Sequence, residues 1–202
     1  MQDAPQSHFM TGVKADIADA TIRVIARAGF DVVSVRTVAK EAGLAPGTVQ
    51  YHFRSREDLL VGAMVRNGQR IVTRLAELPP EEHVAKRLLQ GLTELLPLDE
   101  RRKEEGILWV ALSSAASTRP SLTTPYLEGL AFMRDTIRQA LIRAQQAGAL
   151  RDGWTPESGA FFLAALTNGL TIDGINAPES DHPRLLQALA DGVRNVVNMP
   201  DD

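Results

Sequence analysis

At 202 residues, 44% hydrophobic but only 5% aromatic, the chain suits one or two domains built on an aliphatic core. It has no cysteine, which excludes disulfides, thiol catalysis and cysteine-ligated zinc, and no two of its four histidines are spaced to share a helix face, so no metal and no cofactor is expected. Behind a net charge of -3 lies an asymmetry: up to Arg56 there are seven basic residues (Lys14, Arg23, Arg27, Arg36, Lys40, Arg54, Arg56) against five acidic ones (Asp3, Asp16, Asp19, Asp31, Glu41), out of totals of 22 and 25, a weakly basic head on an acidic body.

Residues 1–11 carry no periodic pattern and are expected to form an arm, with Asp3 and no Lys or Arg in it. The opening MQDAPQSHFM lacks the basic and apolar regions of a signal peptide, and no apolar run approaches the roughly 20 residues of a membrane span. A cytoplasmic location without a membrane partner is therefore expected. From Gly12 to Ala28, residues Ile17, Thr21, Val24, Ile25 and Ala28 recur on one helix face, and Gly29 is the expected stop. Phe30, Val32 and Val33 read as a turn that plugs the core. Ser34 is the expected N-cap of a second helix, on which Val35, Val38, Ala39 and Ala42 form the buried stripe while Arg36, Thr37, Lys40 and Glu41 face outward. Gly43 suits a left-handed C-cap, with Leu44 placed to pack back on the helix it ends. Pro46 opens a third helix of about two turns. Val49 and Phe53 supply its apolar edge, leaving Thr48, Gln50, Tyr51 and His52 around the exposed sides. Two helices this short and this close make a helix-turn-helix over residues 34–53, and the side chains its second helix exposes can hydrogen-bond phosphate oxygens or base edges.

The run from Ile17 to Met64, centred on GFDVVSVRTVAKEAGLAPGTVQYHFRSREDLL, resembles the DNA-binding domain of TetR-family transcriptional regulators. The resemblance rests on the GF before the first turn, the VAKEAGL helix and turn, the GTVQYHF recognition helix and the hydrophilic start of a fourth helix. It implies that Thr48, Tyr51 and His52 engage the phosphate backbone, that Arg36, Pro46 and Gln50 face bases, and that Thr37, Gly47 and Arg56 lie close by. Arg36 and Gln50 are the expected specificity residues, since Arg to guanine and Gln to adenine are the bidentate pairs that discriminate. Ala45 stands where relatives often carry a capping side chain, so about 1 kcal/mol of helix stability is expected to be missing there.

Ser55 and Asp58 have capping-box spacing and open a fourth helix. Leu59, Leu60, Ala63, Met64, Asn67, Ile71 and Leu75 carry one face of it as far as Pro79-Pro80, long enough to leave the DNA-binding domain and connect it to the rest. The boundary between a DNA-binding domain, 1–56, and a body, 57–202, is expected at the start of that helix. Beyond Pro80 the pattern is helical throughout, with helices expected near 81–96, 99–117, 121–148, 156–176 and 182–198 and no hairpin signature. The fold class is all-α, about nine helices. Here the order of motifs, a Trp-bearing helix, a Pro turn, a long helix ending AQQAGALRDG and an Ala- and Gly-rich helix, is similar to the C-terminal domains of BetI-like members.

Two further sites are expected in the body. A ligand site would draw on Trp109, Tyr126, Phe132, Met133, Phe161 and Phe162 for apolar surface and on Asn168 and Asp173 for polar contacts. A dimer interface would use Gly159, Ala160, Ala164, Ala165 and Gly169 for close helix approach and Leu163, Leu166, Leu170, Leu185, Leu186, Leu189, Val193, Val196 and Val197 for apolar area; the resemblance implies a two-fold dimer joined by a four-helix bundle. The expected function is a ligand-responsive regulator, a homodimeric repressor that binds double-stranded DNA at a palindromic operator and is released by a small-molecule inducer. The alternatives are a ligand-independent DNA-binding regulator and an all-α enzyme using the C-terminal cavity. No nucleophile elbow, phosphate loop or metal-ligand cluster supports the enzyme, so no catalytic residue is expected.

Overall fold

Each helix of the protein begins or ends where the sequence carries a local reason for it. The structure, a computed structural model, describes residues 9–199. Among them are nine α-helices: α1 (Gly12–Ala28), α2 (Val35–Ala42), α3 (Pro46–His52), α4 (Arg56–Ala76), α5 (Val84–Thr93), α6 (Glu100–Ala116), α7 (Pro120–Gln146), α8 (Pro156–Asn176) and α9 (His182–Val196). No strand is present among the described residues, and the one extended pairing is an isolated bridge between Leu150 and Val197. The all-α expectation holds. The arm expected over residues 1–11 lies outside the described residues up to His8; Met10 donates its backbone N–H to Gln69 Oε1 at 3.1 Å.

The helix ends follow capping chemistry. Ser34 caps α2 and Thr155 caps α8, each in a reciprocal box with the residue three positions on. Ser55 and Asp58 make the same exchange ahead of α4: Ser55 Oγ accepts the Asp58 N–H at 3.0 Å, and Asp58 Oδ2 accepts the Ser55 N–H at 3.0 Å. The helix expected over 81–96 is shorter, Val84–Thr93. At its start the Glu81 carboxylate takes the His83 N–H, and at its end Leu95 and Leu96 donate three residues back in a tight turn that α5 does not continue.

The described residues fall into two compact units. The first takes the chain up to Thr73 together with Ile107–Pro125; the second takes Arg74–Gly106 and the chain from Tyr126 onward. The division thus runs inside α4 rather than ahead of it. In the first unit Ile17, Ile22, Ile25, Val38, Val49, Leu59 and Leu60 have no exposure, so α1, α2, α3 and α4 share one core. Of the turn residues expected to plug it, only Val33 is buried; Val32 is exposed, and Phe30 is covered by the guanidinium groups of Arg56 and Arg119, centred 5.2 and 4.9 Å from its ring. The second unit is built on a core of Leu88 and Leu92 from α5, Leu96 from the turn after it, and Leu141, Leu163, Leu189 and Val193 from α7, α8 and α9. Beside it Arg74 donates to Glu94 Oε2 at 2.9 Å and to both oxygens of the buried Glu105 at 3.2 and 2.8 Å.

Candidate nucleic-acid interface

The turn between α2 and α3 is a Schellman motif. Gly43 has φ 68°, in the left-handed region glycine enters without a Cβ clash; its N–H points to Lys40 O, and the Leu44 N–H reaches Ala39 O at 2.9 Å. That closure turns the chain into α3 within three residues. Ala45 sits at the N-cap in extended conformation and offers no side-chain acceptor, so the N–H of Thr48 is taken by the Ala45 carbonyl at 3.0 Å. Tertiary contacts hold this seven-residue helix instead: Val49 is fully buried, and the Phe53 ring occupies the space on α4 that a side chain at Gly62 would fill. α1 and α2 are clasped by Glu41, whose carboxylate accepts from Arg27 Nη2 at 2.7 Å and Arg23 Nε at 3.0 Å. Hydrogen bonds from Arg27 and then Arg23 hold the Glu41 carboxyl below its usual value.

With its apolar edge so anchored, α3 presents the opposite side. Tyr51 is 83% exposed, with its ring edge-on to His52 at 5.1 Å between centroids. Gln50, Pro46 and Gly47 are exposed, and Thr48 and His52 half-buried on the flanks. Arg36 is exposed on α2. A tyrosine standing in solvent beside polar neighbours on an anchored helix is arranged for an outside partner with hydrogen-bonding edges. Two other residues expected near DNA have internal work. The Thr37 hydroxyl donates to Val32 O at 2.8 Å and accepts the Ser34 N–H at 2.9 Å. Arg56 donates through Nε to Val33 O at 3.0 Å and through Nη2 to Phe30 O at 2.8 Å, which ties the first turn of α4 to the turn before α2. Neither role is legible from spacing, because the acceptors are backbone carbonyls.

The residues expected at a ligand site are dispersed. Trp109 belongs to the first unit, the others to the second. Phe132 is 61% exposed; Phe161 is 58% exposed, with the Arg134 guanidinium 4.7 Å from its ring centre. Phe162 packs on Trp154 at 5.1 Å and, like Met133, against the second core. Tyr126 and Asn168 are half-buried and Asp173 is exposed. A groove of about 410 Å³ in the second unit, walled by Leu78, Pro79, Leu89 and Gln90, contains none of them.

Most side chains expected at a dimer interface lie inside the chain's own core. Leu163, Leu189, Val193 and Val196 are fully buried, Leu170 and Leu185 nearly so, and Leu166 packs beside them. Gly159 abuts Leu141 and Val196 of the same chain. The close helix approach at Gly159, Ala160 and Ala164 is therefore internal. α8 is apolar almost all round, and the sequence pattern did not mark which side the protomer uses. The side left in solvent carries Phe161, Ala165, Gly169 and Ile172, spaced four, four and three along one helix; the sequence marks Ala165 and Gly169 for close helix approach and Phe161 for the ligand site, and misses Ile172.

An α-helical unit with a capped helix-turn-helix and a solvent-facing second helix defines a DNA-binding protein. Residues 17–63 match the family of bacterial regulatory proteins named for tetR, and residues 84–198 match the BetI-type transcriptional repressor C-terminal family. The chain belongs to the TetR family, as a DNA-binding transcriptional regulator of the repressor type. Among curated relatives it is similar to the HTH-type transcriptional regulator PksA of Bacillus subtilis, 26% identical over 166 residues that make up 82% of this chain and 80% of PksA. It is also similar to the HTH-type transcriptional repressor KstR of Rhodococcus jostii, 34% identical over 79 residues, 39% of this chain and 37% of KstR. Among solved structures, a transcriptional regulator from Rhodococcus sp. Rha1 superposes with a TM-score of 0.80 at 29% identity over 94% of this chain and all of that one. A regulator from Saccharomonospora viridis, solved in complex with choline, gives 0.78 at 28% identity over 92% of this chain and 98% of that one. No helix among the described residues is long and apolar enough to cross a membrane.

Proposed function

We propose that this regulator is a homodimer that represses by holding a roughly palindromic operator and leaves it when a small organic molecule binds among the C-terminal helices. The observation that carries the reading is Tyr51: a large aromatic side chain 83% exposed on a helix anchored from behind by Val49 and Phe53. Around it, Thr48, Tyr51 and His52 take phosphates, and Arg36 and Gln50 read base edges. Phe161, Ala165, Gly169 and Ile172 support the dimer, because small residues between two exposed apolar ones let a second α8 approach closely. For release, the ligand must favour the DNA-incompetent state; a typical coupling is about 1–3 kcal/mol, or 5- to 150-fold in operator affinity. α4 is the proposed carrier. Its first turn is bound to the turn before α2 by Arg56, and its last turn to Glu94 and Glu105 by Arg74.

The test is selection of the purified protein on random duplexes at a stated salt concentration, followed by displacement of the selected duplex with small molecules. Choline is the first to try, because the similar Saccharomonospora regulator holds it. An inverted repeat with half-sites about one helical turn apart, or a multiple, supports the dimeric reading. A selected site bound equally well with every molecule tried, and with each found to bind the protein, overturns ligand release.

A further inference from the structure

We propose that Lys14 and Arg54 are the cations that neutralise DNA phosphates beside each recognition helix, and that Arg56, at the head of α4, is a positioning residue instead. The inference rests on DNA binding through α3. Three carboxylates occupy six of the guanidinium groups in the first unit. Glu41 holds Arg23 and Arg27, Asp31 holds Arg56 and Arg119, and Asp19 holds Arg66 and Arg70 at 2.8 and 3.0 Å. Exposure does not separate these groups from the rest, since Arg27 is two-thirds exposed and still held at 2.7 Å.

The basic residues of that unit without a carboxylate partner, among the described residues, are Lys14, Arg36, Lys40 and Arg54. Arg36 already belongs to the reading set, and Lys40 lies on the outer face of α2. Lys14 and Arg54 differ in being fixed at the C-terminal end of α3. The Lys14 ammonium lies 5.7 Å from the centre of the Phe53 ring, and Arg54 is the residue after Phe53. Their position is also stiffened. Arg54 donates its backbone N–H to Asp58 Oδ2 at 3.1 Å, and Phe53 is wedged against Gly62. Asp58 is thus engaged with backbone N–H groups, Asp16 lies near Arg66, and Glu57 on the first turn of α4 is the remaining carboxylate close to Arg54 in sequence. Two uncompensated cations at the end of a helix whose exposed face carries Tyr51 and His52 suit a polyanion passing along that face. Their sequence-independent contact would set the register in which Gln50 and Arg36 read bases.

A phosphate contact releases a counterion, so each one contributes a nearly constant amount to the slope of log affinity against log salt, whatever the DNA sequence. The experiment uses the full-length protein and a mixed-sequence duplex of several helical turns, titrated between about 50 and 200 mM salt. It compares the wild type with Lys14→Gln, Arg54→Gln, Lys14→Arg, Arg54→Lys, Arg56→Gln and Arg27→Gln, each with a thermal melt. Lys14→Gln and Arg54→Gln should each lower the slope by about one for every phosphate left without its cation, about two for a two-fold complex, with the melting temperature unchanged. Lys14→Arg and Arg54→Lys should keep the wild-type slope. Arg56→Gln should lower the melting temperature and keep the slope, as should Arg27→Gln. Unchanged slopes for both Lys14→Gln and Arg54→Gln overturn the proposal. So does a slope unchanged while the melt falls, which would make the two cations mere neutralisers of the negative end of α3. Non-specific DNA serves here, so failure to find an operator leaves the result readable.

Discussion

Ala45 is the position where a single atom should matter most to α3. It holds the extended backbone of an N-cap but lacks the acceptor, and it is exposed, so a hydroxyl there meets no neighbour. Ala45→Ser should stabilise the protein by about 1 kcal/mol, seen as a rise of about 2–4 °C in melting temperature for a chain of this size. No change in the melt would mean that packing of Val49 and Phe53 already fixes the first turn. At the other end of the helix, Gly62→Ala would put a methyl into the space of the Phe53 ring. The ring must then move and carry the end of α3 with it. A loss of about 1–3 kcal/mol in stability is expected, together with weaker DNA binding. Retained affinity and melt would show that α4 yields instead. In the reading set the two kinds of contact should separate: Tyr51→Ala and Thr48→Ala weaken all duplexes alike, whereas Gln50→Ala relaxes preference at one base pair per half-site. A selected motif unchanged by Gln50→Ala would remove that residue from base readout.

Between elements, the α1–α2 clasp is the contact whose pH dependence can be worked out. Glu41 is held below its usual value by Arg27 and Arg23, so its folded form binds its proton less readily than the unfolded chain does. The clasp is therefore fully present above the usual glutamate value of about 4.3 and is lost as the pH falls below it. Arg27 is largely exposed, which limits the contribution to about 1 kcal/mol. Melts of the wild type and Glu41→Gln across pH 3–7 should differ at neutral pH and converge at the acid end. Parallel curves would show that the carboxylate is not the group titrating. What was legible in the sequence follows the same line between local and distant causes. The bounds of α1, α2 and α3 follow from Gly29, Ser34, Gly43 and Pro46, each acting within a few residues of itself. The roles of Arg56 and Phe30 were not legible, since Arg56 reaches back to carbonyls over 20 positions away and the second cation on Phe30 comes from Arg119. The aromatic residues of the C-terminal helices gave composition without direction, which is why Phe132 and Phe161 were grouped with Phe162 although the first two face solvent.

For the whole molecule, the proposed dimer divides the residues of α8 into two kinds whose substitution should fail in different ways. Leu163 is fully buried in the protomer, so Leu163→Ala should leave a cavity and cost about 2–5 kcal/mol of stability with the subunits still paired when folded. Phe161 and Gly169 lie on the other side, 58% exposed and open respectively, with nothing within 4 Å of a Cβ built at Gly169. Gly169→Arg should therefore leave the protomer core intact while blocking a second α8, and Phe161→Asp should place a charge where apolar contact is needed. Both should sediment as monomers with a melt no longer dependent on concentration. Operator affinity would then fall much further than protomer stability, because joining two half-site readers makes the second contact intramolecular, an advantage of about 10²- to 10⁴-fold. Non-specific binding by one subunit would survive with about half the salt slope, since half the phosphate contacts remain. If Gly169→Arg still sediments as the wild type does, the pairing surface lies elsewhere, and the two-fold reading of the operator has to be rebuilt from another face.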